Sequence, residues 1–302
     1  QSYLLENNGK GLFKDVTDEK ANVLKKCGMI TSGEWVDLIG DKSKELVLCG
    51  DWLGIKIYSW DGQKFIEVDV SHLGLDRQEG WWNKLIATDL DQDGDIDLVC
   101  GNLGENYKFH TSAEKPFQVF CNDFDQNGTY DIILTKYNGN DIVPIRGKQC
   151  SQEQIPSIKS KFPTFKSFAN ANLNDLYGES LESSLNYKVN NFSSGVFWNE
   201  GGKFKWSAFP VEAQFSSIRA IVCDDINGDG KIDVIFGGNN YDTEVETTSS
   251  DASIGGVILQ QEDRGFIYIK PNDSGLSIDA AITDITKLNS NLGSIYLIAT
   301  NN

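Results

Sequence analysis

Nine-residue runs of aspartate and glycine recur along the chain and constrain its folding more than any other feature. "DLDQDGDID" begins at Asp89, "DFDQNGTYD" at Asp123 and "DINGDGKID" at Asp225. In register they read D-x-[DN]-x-[DN]-G-x-x-D. Carboxylates packed this closely repel one another, so such a loop needs a compensating charge. Oxygen-bearing side chains at positions 1, 3, 5 and 9 around a glycine turn can wrap a hard cation. Ca2+ takes about six to eight oxygens at ~2.3–2.6 Å in a flexible cage. The competing reading is a set of Asx-rich surface turns without metal, and three matches in register weigh against it.

The expected ligands follow position by position. Position 1 is Asp89, Asp123 or Asp225, and position 3 is Asp91, Asp125 or Asn227. Position 5 is Asp93, Asn127 or Asp229, and position 9 is Asp97, Asp131 or Asp233. Position 7 (Asp95, Thr129, Lys231) contributes its backbone carbonyl, so a lysine is acceptable there. The expectation is about three Ca2+ per chain, one for each complete loop.

An EF-hand fails at position 12, where it requires a bidentate glutamate. This chain has Cys100, Leu134 and Phe236 there. Each loop instead runs from one apolar stretch into another, "KLIATD" to "IDLVCG" or "IRAIVCDD" to "IDVIFGG". Each therefore reads as the turn of a β-hairpin. A dockerin-type pair fails as well, because the loop starts lie 34 and 102 residues apart.

Two degenerate copies extend the pattern. "DLIGDKSKE" has Asp37, Asp41 and Glu45 at positions 1, 5 and 9, but Ile39 at position 3 and Lys42 in place of the glycine. No metal is expected there, with Lys42 as a substitute charge. The other copy keeps little beyond Asp284. Strand–turn–strand pieces such as "GIKIYSWDGQKFIEVD" and "GVFWNEGGKFKWSAF" lie between the loops. A loop hairpin plus a second hairpin makes four strands. Units of that kind, repeated, set the expected fold class: an all-β β-propeller of four-stranded blades.

Several stretches then carry a family resemblance: "SYLLENNGKGLFKDVT", "GWWNKLIATDLDQDGDIDLVCGNLGENYKF", "NDFDQNGTYDIILTKY", "PIRGKQCSQEQIP", "PVEAQFSSI" and "GGNNYDTEVETTSSDASIGG". With "FGG" at Phe236–Gly238, the chain resembles the FG-GAP/VCBS-repeat propellers. It looks closest to the large bacterial secreted VCBS proteins that often carry an ASPIC/UnbV segment. The resemblance implies an exported, envelope-associated propeller without established catalysis. It also implies further blades upstream of "SYLLEN", and Gln1 opening in mid-pattern sets the matching expectation of a processed or partial chain. Residues 2–16 read as one incomplete blade and 278–302 as another; either they meet to close a ring or the chain is an open arc.

Residues 146–190 do not read as blades. Pro156 and Pro163 break the segment, Ser151 with Gln154 resembles a capping box, and Ile155, Ile158 and Phe162 recur at helical spacing. The expectation is a single propeller domain over 1–302 with a helical insertion at 146–190, serving as a cap or a partner-docking element.

A formal net charge of −17 over 302 residues argues against nucleic acid or an anionic membrane surface as partner, and suits cation binding. No apolar run reaches the ~20 residues of a membrane-spanning helix. Cys49, Cys100, Cys121 and Cys223 sit in strand-like runs and read as buried thiols, whereas Cys27 and Cys150 are left open. Neither His72 nor His110 has a nucleophile setting, and GxSxG and HExxH are absent. The functional expectation is a calcium-stabilised extracellular or cell-surface binding or scaffold module, not an enzyme, whose partner is a protein or a glycan. A calcium-dependent polysaccharide lyase-like enzyme is the alternative. Trp81 and Trp82 in "EGWWNK" read either as packing residues or as a sugar-stacking platform.

Overall fold

A computed structural model describes residues 2–243, 247–291 and 293–301. The chain divides into two compact units, one built from 1–108 with 192–302, the other from 109–191.

In the first unit, each loop-type hairpin is extended by a second hairpin into an antiparallel sheet. The first sheet orders Met29–Val36, Glu45–Leu53, Lys56–Trp60 and Phe65–Glu67, with Gly80–Trp81 also paired to Glu45–Leu53. The second orders Lys84–Thr88, Asp97–Gly101, Gly195–Asn199 and Phe204–Ala208. The third orders Ile218–Asp224, Asp233–Gly238, Gly256–Gln260 and Phe266–Ile269. Central strands such as "DLVCG", "GVFWN" and "DVIFGG" are buried along their whole length, because both faces are covered. The outer strand Met29–Val36 alternates between exposed and half-buried.

Successive sheets share cores. Val47, Ile57, Trp82, Leu85, Leu98 and Phe197 join the first sheet to the second. Val99, Val196, Trp198, Ile221 and Phe236 join the second to the third. Ile235 and Val257 pack on Ile282 and Ile285 of the last hairpin, Ala281–Ser290 with Gly293–Asn301. Gly238 marks how closely backbones approach: a Cβ there would lie 1.6 Å from the Ser217 carbonyl oxygen.

The second unit carries one sheet, ordered Asp141–Pro144, Asp131–Asn138, Phe117–Asn122 and Leu185–Val189. Helices Lys148–Gln154, Ser157–Lys161, Phe165–Ala169 and Leu173–Tyr177 place Ile155, Ile158, Phe168 and Leu176 in a core with Ile133. The first of these helices starts before Ser151, which lies inside it and is not its cap; Ser151 Oγ donates instead to the Arg146 carbonyl. The capping boxes are at Thr164 with Ser167 and at Asn172 with Asp175.

The propeller expectation is corrected. Among the described residues, the chain mixes short helices with several separate antiparallel sheets, and none of them closes into a ring. The terminal hairpins do not complete one another: Leu5 pairs with Asp15 and Ile298 with Ile285, each in its own two-stranded sheet. The physical reason is that a loop motif dictates a hairpin and its turn, which are local. The number of sheets and their closure depend on contacts between distant residues, which the motif does not encode. No described helix is long and apolar enough to cross a membrane.

Candidate metal centre

All three aspartate loops close antiparallel hairpins: Thr88 pairs with Asp97, Asn122 with Asp131 and Asp224 with Asp233. The degenerate loop does the same, with Val36 opposite Glu45.

Three hydrogen bonds recur in all four. The position 6 N–H donates to the position 1 carboxylate, from Gly94 to Asp89 at 3.1 Å, Gly128 to Asp123 at 2.8 Å, Gly230 to Asp225 at 3.0 Å and Lys42 to Asp37 at 2.9 Å. The position 2 N–H donates to position 9, from Leu90 to Asp97, Phe124 to Asp131, Ile226 to Asp233 and Leu38 to Glu45. The position 7 N–H donates to the position 5 side chain, from Asp95 to Asp93, Thr129 to Asn127, Lys231 to Asp229 and Ser43 to Asp41.

The backbone is shared too. Positions 4 and 6 are left-handed throughout: Gln92 and Gly94, Gln126 and Gly128, Gly228 and Gly230, Gly40 and Lys42. Lys42, at φ +69°, keeps the turn that glycine makes elsewhere. Its observed contribution is its backbone N–H; its ammonium forms no ion pair among the described residues. The loops differ at position 3, which holds Asp91, Asp125, Asn227 or Ile39. The hairpin is thus a property of the backbone scaffold, while the number of carboxylates gathered at the turn varies with position 3.

The structure brings three carboxylates together in two loops. One oxygen from each of Asp89, Asp91 and Asp97 lies within 4.8 Å of the others, and so do oxygens of Asp123, Asp125 and Asp131. Asp89 Oδ1 is buried and has no hydrogen-bond partner among the described residues. A lone buried carboxylate oxygen beside two further carboxylates fits a cation. In the third loop the amide of Asn227 donates to Asp229 at 3.0 Å, and Lys231 Nζ lies 3.8 Å from Asp229.

Position 9 has a structural duty besides any ligand role. Asp97 is 1% exposed and Asp233 fully buried. The second oxygen of Asp97 accepts from Asn199 N at 2.7 Å and that of Asp233 from Gln260 N at 3.0 Å, tying each loop to the next strand of its sheet. Burial pushes the Asp97 carboxyl up to about 6; the Asn199 and Leu90 N–H groups oppose this, and the Asp91 and Asp93 charges add to it. Burial likewise raises Asp131 and Asp233.

Arg264 enters the first loop from outside the motif. Its Nη2 reaches Asp93 at 3.3 Å, its Nη1 reaches Glu200 at 3.1 Å, and the guanidinium lies 5.4 Å from the centre of the Trp198 ring. Gly201 N also donates to Asp95. Both come from turns far along the chain, "WNEGG" and "QEDRG", which carry no sign of the association.

The fold and loops define a class: antiparallel sheets whose hairpins end in acidic turns. No known family's sequence pattern matches the chain, and no curated protein matches it either. With the open, separate sheets, this removes the FG-GAP/VCBS assignment read from the motifs.

Proposed function

We propose that this chain is a calcium-stabilised binding module, acting outside the cell or at its surface, whose acidic loops clip hairpins that present a ligand-binding face. The observation that carries the reading is the buried, unpartnered Asp89 Oδ1 within the Asp89, Asp91 and Asp97 cluster. A buried acceptor left without a partner costs about 1–3 kcal/mol, and a bound cation removes that cost. The Asp123 cluster gathers its carboxylates in the same way, with Asp123 Oδ1 accepting from Asn127 N at 2.9 Å. The third loop is the weaker candidate, since Asn227 is neutral and Lys231 already faces Asp229. An external location accords with this reading, because extracellular calcium modules work with weak sites, on the order of 10⁻⁴–10⁻³ M. The partner is a protein or a glycan.

Elemental analysis after mild desalting, together with melting curves with and without chelator, tests the reading. Metal that binds only the folded loops stabilises by about 2.7 kcal/mol per site at a hundredfold excess over Kd. About two or more Ca2+ per chain and a clear drop in Tm on chelation are expected. An unchanged melting curve in excess chelator would sink it.

A further inference from the structure

Away from the acidic loops, the unit formed by 1–108 and 192–302 contains a cavity of about 300 Å³. That volume is at the lower end of the range of small-molecule sites, ~300–1,000 Å³. Trp52, Trp81 and Tyr107 line it together with Asp51, Arg219 and Asn240. The two adjacent tryptophans of the sequence part company here. Trp82 is fully buried, packing on Phe197 and Trp206 in the core between two sheets. Trp81 is only half-buried and meets Trp52 edge to face at 5.3 Å, so two cavity-lining rings stand at 70° to each other.

The backbone is arranged to put Trp52 there. The strand Glu45–Leu53 is irregular where it pairs with Gly80–Trp81: Asp51 opposes Trp81, Leu53 opposes Gly80, and the register shifts between them. Trp52 falls at that shift with φ +58°. A bulky residue with positive φ is an outlier, and bulges of this kind re-aim side chains beside binding sites.

The polar lining holds a second, independent sign of a ligand. Ser217 is 4% exposed, lines the cavity, and its Oγ has no hydrogen-bond partner among the described residues. Its neighbour Ser250 is engaged, with its Oγ 2.7 Å from Ser216 Oγ and accepting from Ser217 N. The rim is fixed by reciprocal backbone bonds between Asn240 and Ser250 at 2.7 and 3.0 Å. Arg219 is exposed and forms no hydrogen bond or ion pair within 4 Å among the described residues. Burial raises the Asp51 carboxyl, and the Arg219 charge opposes the rise.

The geometry points to a saccharide-binding cleft, in which the aromatic rings take the C–H face of one sugar residue and Asp51, Arg219, Asn240 and Ser217 take its hydroxyls. A hydroxyl both donates and accepts, so a polyol is matched by a wall that mixes carboxylate, guanidinium and amide groups. An aromatic corner with an aspartate also suits a quaternary ammonium. Such a cation needs acceptors only, however, and would face the Arg219 charge. The inference rests on the binding-module reading and names the ligand class within it.

The test uses the full chain with Ca2+. Tryptophan fluorescence and saturation-transfer NMR are read against methyl glucoside, galactoside, mannoside and N-acetylglucosaminide, followed by an oligosaccharide array. Saturable binding of at least one saccharide is expected, weakened about tenfold or more in Arg219→Ala and in Trp52→Ala. Arg219 is exposed, so its variant folds; melting curves on both variants separate lost binding from lost structure. Absence of saturable binding to every saccharide overturns the cleft, as does equal affinity in both folded variants. Tight binding of glycine betaine in place of sugars also overturns it. Tm with and without chelator is read on the same samples. Sugar binding without a calcium effect keeps the cleft and removes the calcium reading; a calcium effect without sugar binding does the reverse.

Discussion

Arg264 Nε lies 2.5 Å from Asp91 Oδ2, so a guanidinium from another hairpin already holds the position 3 carboxylate of the first aspartate loop. It partly neutralises the loop, and a cation proposed for this loop would have to share or displace the guanidinium at the same oxygen. Replacing it should separate the two effects. Arg264→Gln is expected to lower Tm in chelator by the equivalent of about 1 kcal/mol, as for a partly exposed ion pair. It should also raise calcium affinity at this loop several-fold. Calorimetric titration beside melting curves checks both, and calcium affinity equal to that of the parent chain would refute the competition.

Asp89→Asn removes a charge from the same cluster while keeping the shape and the acceptor for Gly94 N–H. In chelator the variant should melt at or above the parent, because repulsion with Asp91 and Asp97 falls. In calcium it should melt below the parent, because a ligand charge is lost. The crossing of the two orders is the expected signature. A variant that melts lower under both conditions would mean that Asp89 is purely structural.

Lys42→Gly addresses the loop with no acid at position 3. The lysine occupies a left-handed position at φ +69°. That conformation costs a non-glycine residue about 1–2 kcal/mol. The greater freedom of glycine in the unfolded chain returns about 0.4–1 kcal/mol of that. The net expectation is a gain of ~0.5–1 kcal/mol, an increase of about 1–4 °C in Tm, identical with and without calcium. A lower Tm would show that the Lys42 side chain stabilises the turn in another way.

Cys49 and Cys100 are fully buried in the core between the first two sheets. Burial pushes the Cys49 thiol up to about 12 and raises Cys100 well above the usual thiol range. The thiolate is the reactive form, so both should resist alkylation at pH 8 until the chain unfolds. Mass spectrometry after timed iodoacetamide treatment reads this directly. Rapid labelling of either in the folded chain would contradict the packing.

The parts of the fold legible in sequence were the local ones. The D-x-[DN]-x-[DN]-G-x-x-D spacing marked four hairpin turns, including the one at Asp37, because hydrogen bonds within nine residues fix them. What the register did not show is how Lys42 serves the turn: it takes the left-handed position of the glycine and donates its backbone N–H to Asp37, and its ammonium forms no ion pair among the described residues. The sheets beyond the hairpins were not legible. Asp97–Gly101 pairs with Gly195–Asn199, and only the folded chain reveals that partner. The contacts of Arg264 with Asp91 and of Asn199 with Asp97 were hidden for the same reason. Trp81 ends the short strand Gly80–Trp81 and is half-buried beside Trp52, whereas Trp82, just past the strand, is fully buried on Phe197 and Trp206; adjacency and like chemistry gave no sign of that split.

The pairing of Val99 with Val196 spans the whole of the second unit. Such a pairing forms late if the intervening chain is disordered, since closing a long loop costs entropy before any contact is gained. Here the interruption shortens itself. Phe117 pairs with Val189 inside the inserted unit, and outside it Gly104 N donates to the Phe192 carbonyl at 2.8 Å. Once 109–191 has folded, the two halves of the second sheet are held as if by a short turn. The insertion therefore sets the kinetics: refolding should be sequential, with the inserted segment leading, and replacing it by a tight turn should speed assembly of the remaining sheets.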